Sequence, residues 1–246
     1  MSIKISILTR AHKQQELINL LPLHSCKRIG NSVYISGVYS ELKRVNDVYR
    51  YILQSKNGKL FIKKKFSNGI GNFNDQCSLK RANKSVVLVI ESPHKDEYNK
   101  NYSPIAPAQG ATGLKIEKYF CGIINKYKKI KLPTGNYDFI ISNPVQFQTS
   151  LYHLHGVPLS SKNTAVSGVR DKIWKSIFPY EIKNFHSRIS NYKPMIIINA
   201  CTVKLKPLVN KELKKWKNSN KSNSNVKIFT ANKHPCIWSS KVSLKK

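Results

Sequence analysis

The chain has 246 residues, 40% of them hydrophobic, and 43 Lys and Arg against 12 Asp and Glu give it a formal net charge of +31. That length suits one large domain, or one domain with an appendage, and the apolar fraction can build a sizeable core. No apolar run approaches the roughly 20 residues of a membrane-spanning helix, and Lys4, Arg10, His12 and Lys13 break up the start where a secretion signal needs an apolar stretch.

In chain order, Gln14 to Leu21 reads as a helix ended by Pro22. Val33-Tyr34-Ile35, Asp47 to Gln54 and Lys59 to Lys63 read as short strands, and Asn57-Gly58 between the last two is a strong hairpin signal. Ser67 to Asn74 is Gly/Asn-rich and reads as a loop. Residues 1–80 are therefore expected to form an N-terminal β-containing extension. From Ser85 the rhythm changes to strand, helix, strand, helix. Val86–Ile90 is a strand, Tyr102 to Gly113 a loop, and Leu114 to Ile124 has helical spacing of apolar residues. Tyr137 to Ser142 is the next strand, followed by two helices, Val166 to Phe178 and Tyr180 to Ile189. Met195 to Asn199 is a third strand, Val203 to Trp216 a basic amphipathic helix, Asn218 to Asn225 a polar loop, and Val226 to Thr230 the last strand. This alternation predicts an α/β domain over 81–246, a three-layer α/β/α sandwich around a parallel four-stranded sheet.

The charge points to a polyanionic partner, nucleic acid ahead of a membrane surface, because no basic amphipathic anchor stands out. Only Arg10, Arg28, Arg44, Arg50, Arg81, Arg170 and Arg188 are arginine. An AT-rich coding sequence favours Lys, Asn and Ile, but does not by itself remove acids. Abundant lysine suits backbone phosphate contact better than bidentate base reading. Candidate phosphate contacts are Lys126, Lys128, Lys129 and Lys131 after one helix, and Lys211, Lys214, Lys215 and Lys217 on another. The scattered, odd-numbered cysteines (Cys26, Cys77, Cys121, Cys201, Cys236) imply neither a disulfide framework nor a metal knuckle and fit a reducing cytoplasm.

The chemistry is expected where the strands end. Ser85–Ile90 is an unalternating apolar run, as in a strand buried on both faces, and it breaks into Glu91-Ser92-Pro93-His94-Lys95-Asp96-Glu97. Ligand crevices of open α/β sheets lie outside the carboxyl ends of the strands. The other strands end in Ser142-Asn143-Pro144, Asn199-Ala200-Cys201 and Lys233-His234-Pro235. A carboxylate, an amide and an imidazole from distant parts of the chain would meet in one cavity.

These motifs resemble the uracil-DNA glycosylase superfamily over roughly residues 84–240. Ile90-Glu91-Ser92-Pro93-His94 followed by Glu97 is similar to the Gly-Glu-Ala-Pro-Gly motif of one branch, which is followed three residues later by Glu. Pro104-Ile105-Ala106-Pro107-Ala108-Gln109-Gly110 resembles its Pro-Phe-x-Gly-Pro-Ala-Gly loop, Asn143 matches a base-reading Asn, and His234-Pro235-Cys236-Ile237-Trp238-Ser239 resembles its final His-Pro-Ser motif. The resemblance implies a monomeric, monofunctional, cytoplasmic DNA glycosylase that flips a base and leaves an abasic site. Asn143 would hold the base edge, and His234 would face the charge that develops on the departing base. Glu91 would stabilise an oxocarbenium-like sugar and direct a water, with Asp96 and Glu97 in reserve. Ser92, Pro93, His94, Tyr102 and Ile105 would line the base pocket. Ile237 and Trp238 would fill the gap left in the duplex, with Ser239 and Lys233 on the backbone.

Departures from the pattern shape the expectation. Ser92 stands where the best-known uracil enzymes carry Asp, and His94 where they carry the Tyr that blocks substituents on C5 of the base. Ile105, or a shifted Tyr102, replaces a stacking aromatic, and no cysteine set matches the branch's iron–sulfur ligands. No cofactor or metal is therefore expected, and a modified, bulkier pyrimidine is preferred over uracil. The superfamily includes bacterial anti-phage enzymes acting on glucosylated hydroxymethylcytosine, and this chain is compatible with that role. Two alternatives use the same residues: a non-catalytic reader of flipped bases, and a metal-dependent nuclease built on Glu91, Asp96 and Glu97.

Overall fold

A computed structural model describes residues 3–10, 25–29, 32–39, 44–66, 83–93, 97, 105–147, 149 and 164–246. The expected helix Gln14–Leu21 and loop Ser67–Asn74 lie outside them. Two sheets are present among the described residues. The first is antiparallel, with β1 (Ile3–Arg10) and β2 (Ser25–Ile29) on either side of β3 (Ser32–Tyr39).

The second is a mixed seven-stranded sheet. It is built from β4 (Val48–Lys56), β5 (Lys59–Lys65), β6 (Ser85–Val89), β7 (Gly135–Ser142), β8 (Pro194–Asn199), β9 (Lys227–Ala231) and β10 (Leu244–Lys245), in the order β10-β9-β8-β6-β7-β4-β5. The α-helices among the described residues are α1 (Ala111–Lys126), α2 (Thr164–Asn191) and α3 (Lys206–Asn218). The fold is thus α/β.

The expected parallel strands are the centre of this sheet, since β6 is parallel to β7 and β8, and β8 to β9. The sheet does not stop there. β4 adds antiparallel to β7, β5 pairs with β4, and β10 pairs with β9. The β4–β5 hairpin, assigned from sequence to a separate extension, therefore belongs to the main sheet and covers the edge that β7 would otherwise expose. Its turn is the expected one: Asn57 and Gly58 have φ of 52° and 71°, the two left-handed positions of a tight hairpin turn.

Alternate residues of the central strands enter two cores. Val87, Val89, Ile140 and Ile197 pack with Trp174, Phe185, Leu213 and Trp216 from α2 and α3. Val86, Leu88, Ile141 and Ile198 pack with Ile116, Phe120 and Ile123 from α1. The two helices expected on either side of Pro179 are one helix, because Ile173, Trp174, Ile177, Phe185 and Ile189 on both sides share a single core. Pro179 is exposed, and the loss of one helical hydrogen bond there does not interrupt the buried face.

A buried ionic knot ties the sheet to α2. Asp47, just before β4, accepts from Ser142 Oγ (2.8 Å) and the Tyr192 hydroxyl (2.8 Å) and pairs with Arg188. Burial and the Asp47 charge hold the Tyr192 phenol protonated well above its ordinary range. Removing one partner of a buried pair strands the other charge. Arg188→Ala should therefore lower the urea-unfolding free energy by about 3–5 kcal/mol, whereas a loss under about 1 kcal/mol would mean that Asp47 reaches water.

Candidate functional site

The four parallel strands end level with one another: Val89 is paired with Ser142 and with Asn199, and Asn199 with Thr230. The segments after them carry Glu91, Asn143, Cys201-Thr202 and His234. Three strand spacings separate β9 from β7, about 14 Å. The acid, amide and imidazole picked out from sequence therefore lie along one sheet edge.

Glu91 is buried and fully engaged. Oε1 pairs with Arg170 of α2, Oε2 accepts the Thr202 N–H (3.1 Å), and its carbonyl accepts the Trp174 indole N–H (2.8 Å). Arg170 and Thr202 were not singled out from sequence. The signal available was rarity: an arginine in so lysine-rich a chain is a candidate partner for a buried carboxylate.

Asn143 is fully buried, and among the described residues neither its Oδ1 nor its Nδ2 has a hydrogen-bond partner. Its backbone, in contrast, is fixed at both ends. The N–H donates to Asp47 Oδ1 (3.3 Å), and the carbonyl accepts from Arg188 Nη2 (2.9 Å). An amide held this firmly with its polar atoms unused bears a desolvation cost without compensation, which is characteristic of a group awaiting a ligand.

His234 caps the short 3-10 turn Pro235–Ile237. Its Nδ1 accepts the Cys236 N–H (3.3 Å) and lies 3.0 Å from Cys236 Sγ. With Nδ1 as acceptor, the proton of the neutral ring is on Nε2. Burial pushes its pKa below the ordinary histidine range. Glu91 opposes that shift, while Arg170 and Lys206 reinforce it, so all three charges act on the same ring.

Several expectations are revised. Trp238 is not a wedge: it is 1% exposed, lies in the α1-side core near Phe120, and its indole N–H donates to the Lys233 carbonyl (2.9 Å). Ile237, 60% exposed, is the apolar side chain that this loop offers to solvent. Ser239 Oγ accepts the Lys241 N–H (3.3 Å), a contact internal to its own turn. Glu97 is a loop anchor, accepting the Ala108 N–H (2.8 Å) at Oε1, while its carbonyl accepts the Ile105 N–H (2.8 Å). Gly113 lets that loop press on α1, because a Cβ there would sit 2.1 Å from the Ala108 carbonyl oxygen. Ser92 shares a hydrogen bond with Thr149 (2.8 Å), Pro93 is buried and Ile105 half-buried. His94, Asp96 and Tyr102 lie outside the described residues. Among the described residues, no three His, Cys, Asp or Glu side chains are grouped to hold a metal ion.

The electrostatic setting is one-sided. Glu91, Asp138, Glu97 and Glu181 are buried, half-buried Asp47 keeps its side chain only 3% exposed, and Asp171, Glu212 and Glu117 face Lys or Arg partners. Lys128, Lys129, Lys131, Lys211 and Lys214 are exposed, whereas Lys217 is half-buried and donates to the Val226 carbonyl (2.7 Å). No helix among the described residues is long and apolar enough to cross a membrane. No family model, curated protein or solved structure matches the chain.

Two measurements test this geometry. Asn143→Leu removes an unpaired amide at nearly constant volume, so it should raise unfolding stability by about 1–2 kcal/mol; a loss would reveal a partner for the amide. The folded state favours neutral His234, so its contribution is complete above the unfolded pKa near 6.5 and is lost as pH falls through the lower folded value. His234→Asn keeps a capping acceptor but cannot titrate, and should flatten the acid limb of the stability–pH curve. An identical acid limb in the variant would show that this ring is not what titrates.

Proposed function

We propose that this protein is a monofunctional DNA glycosylase of the uracil-DNA glycosylase type, acting on a modified pyrimidine. The observation that carries this is the buried, unpartnered amide of Asn143 on the same sheet edge as Glu91 and His234. Helix packing on both faces of the central strands supports the three-layer layout of that family. An amide can pair with O4 and N3–H of uracil or with N3 and N4–H of cytosine, so it suits a pyrimidine without choosing between them.

In the proposed reaction the nucleotide leaves the stack and its base enters the edge cavity. Exposed Ile237 fills the space it vacates. The C1′–N1 bond breaks with its electron pair leaving on the base. Neutral His234 donates from Nε2–H to the oxygen that gains charge. Glu91 supplies negative charge for the cationic sugar, and a water oxygen bonds to C1′ while its proton passes to the departing base anion, giving an abasic site and the free neutral base. The basic surface, from which the described carboxylates are withdrawn, holds the phosphates. With His94 in the sequence where the uracil enzymes carry the Tyr that blocks C5, glucosylated hydroxymethylcytosine of phage DNA is the substrate proposed, which would make the protein a cytoplasmic anti-phage enzyme.

One observation favours a second reading. Both Glu91 oxygens are engaged, so the site could read an extruded base without cleaving its bond. Phage DNA bearing glucosylated hydroxymethylcytosine, and matched DNAs bearing cytosine or uracil, distinguish the two. Mass spectrometry should detect free modified base from the first, with abasic sites in the DNA, and Asn143→Leu should lower that rate by about 10- to 100-fold. Binding without base release would favour the reader, and release of uracil alone would remove the modified-base assignment.

A further inference from the structure

Arg170 stands where α2 passes the end of β6. Its Nη2 pairs with Glu91 Oε1 and lies 3.6 Å from Asp171 Oδ1. The two carboxylate side chains are turned inward, 5% and 13% exposed, while the arginine side chain keeps 28% of its surface open. Among the described residues no protein group takes its Nε or Nη1, so most of its five donors remain unused. Lys204 lies 3.8 Å from Asp171 Oδ2 and adds a second, well-exposed cation. Between them runs the turn Thr202-Val203-Lys204. The Thr202 N–H is used on Glu91, but its buried hydroxyl has no partner among the described residues. Lys206 brings a further positive charge to the same neighbourhood, since it acts with Arg170 on His234.

Two carboxylates thus hold one nitrogen of a guanidinium from inside, while the side chain keeps part of its surface open to solvent. A planar fork matches phosphate oxygens in pairs, and a clamped one loses little freedom on binding. We propose that Arg170 and Lys204 bind the DNA backbone phosphate beside the nucleotide whose base enters the cavity. This rests on the DNA reading above, and it makes Glu91 a positioning residue for Arg170 as well as a charge beneath the sugar.

A duplex carrying one tetrahydrofuran abasic-site analogue isolates the phosphate contact, because nothing in it can be excised. Anisotropy titrations across a salt series give the slope of log affinity against log salt. For Arg170→Gln the slope should fall by about 0.9, the loss of one B-DNA phosphate contact. Affinity at moderate salt should drop about tenfold. Arg170→Lys should keep the wild-type slope, and Lys204→Gln, at an exposed position, should lose a similar increment. A folded Arg170→Gln protein with the wild-type slope overturns the assignment; if that variant does not fold, an unchanged slope in Lys204→Gln overturns it. Absence of salt-dependent binding by the wild-type protein overturns the DNA reading as well, whereas salt-dependent wild-type binding with unaffected variants overturns the phosphate clamp alone.

Discussion

Asp47 brings a negative charge into the seam between β4, β7 and α2, and the donors around it hold the rest of the site in register. Ser142, the backbone of Asn143, Tyr192 and Arg188 all converge on this one carboxylate. A buried carboxylate left unpaired would cost several kcal/mol, so these partners have no alternative arrangement of similar energy. The backbone of Asn143 is thereby fixed without any use of its side chain. That separation allows an amide to remain unpaired inside a protein: the stabilising contacts are made by neighbours, and the Asn143 side-chain atoms have no partner among the described residues.

The two kinds of basic residue do different work. Arg44 meets both oxygens of Glu181 with its planar fork, and Arg170 and Arg188 each pair with one oxygen, of Glu91 and Asp47. Most described lysines lie on the outside. With the described carboxylates buried or matched, the unbalanced charge of the described residues is mostly lysine and mostly exposed. Such a field attracts polyanions over long range but reads no sequence. In the proposed reading, any selectivity must then come from the groups at the sheet edge.

The buried parallel strands were legible because each is a short apolar run bounded by Pro, Asn or charge. The motif residues were legible because such runs bring the segments at their carboxyl ends to a common edge. The β4–β5 hairpin was seen but misassigned, since local periodicity does not say which edge a hairpin covers. The merged helix α2 was missed because Pro179 reads as a break until the shared core of its two halves is visible. Trp238 looked like a wedge beside Ile237, and only packing tells which of two adjacent apolar residues points inward. Thr202 and Asp47 carry no local signature at all, and Arg170 carries only its rarity as an arginine. Their roles arise from contacts with residues far away in the chain, which spacing cannot encode.

The Glu91–Arg170 pair constrains what the proposed reaction can be. Both Glu91 oxygens already hold partners, so its charge is rigidly placed, and a fixed charge suits a cationic sugar better than a mobile one does. Within the pair itself that charge is cancelled by the guanidinium. A phosphate that shares the arginine would reduce the cancellation as the nucleotide arrives, so binding the backbone and exposing the catalytic charge become one event. The size of the effect is bounded by the difference in phosphate affinity between the two states of the pair. Such coupling needs an arginine that keeps free donors after pairing, and among the described residues nothing takes Arg170 Nε or Nη1. Lysine would still meet the phosphate as a point charge, but it lacks the second edge by which one rigid plane stays on the carboxylate at the same time.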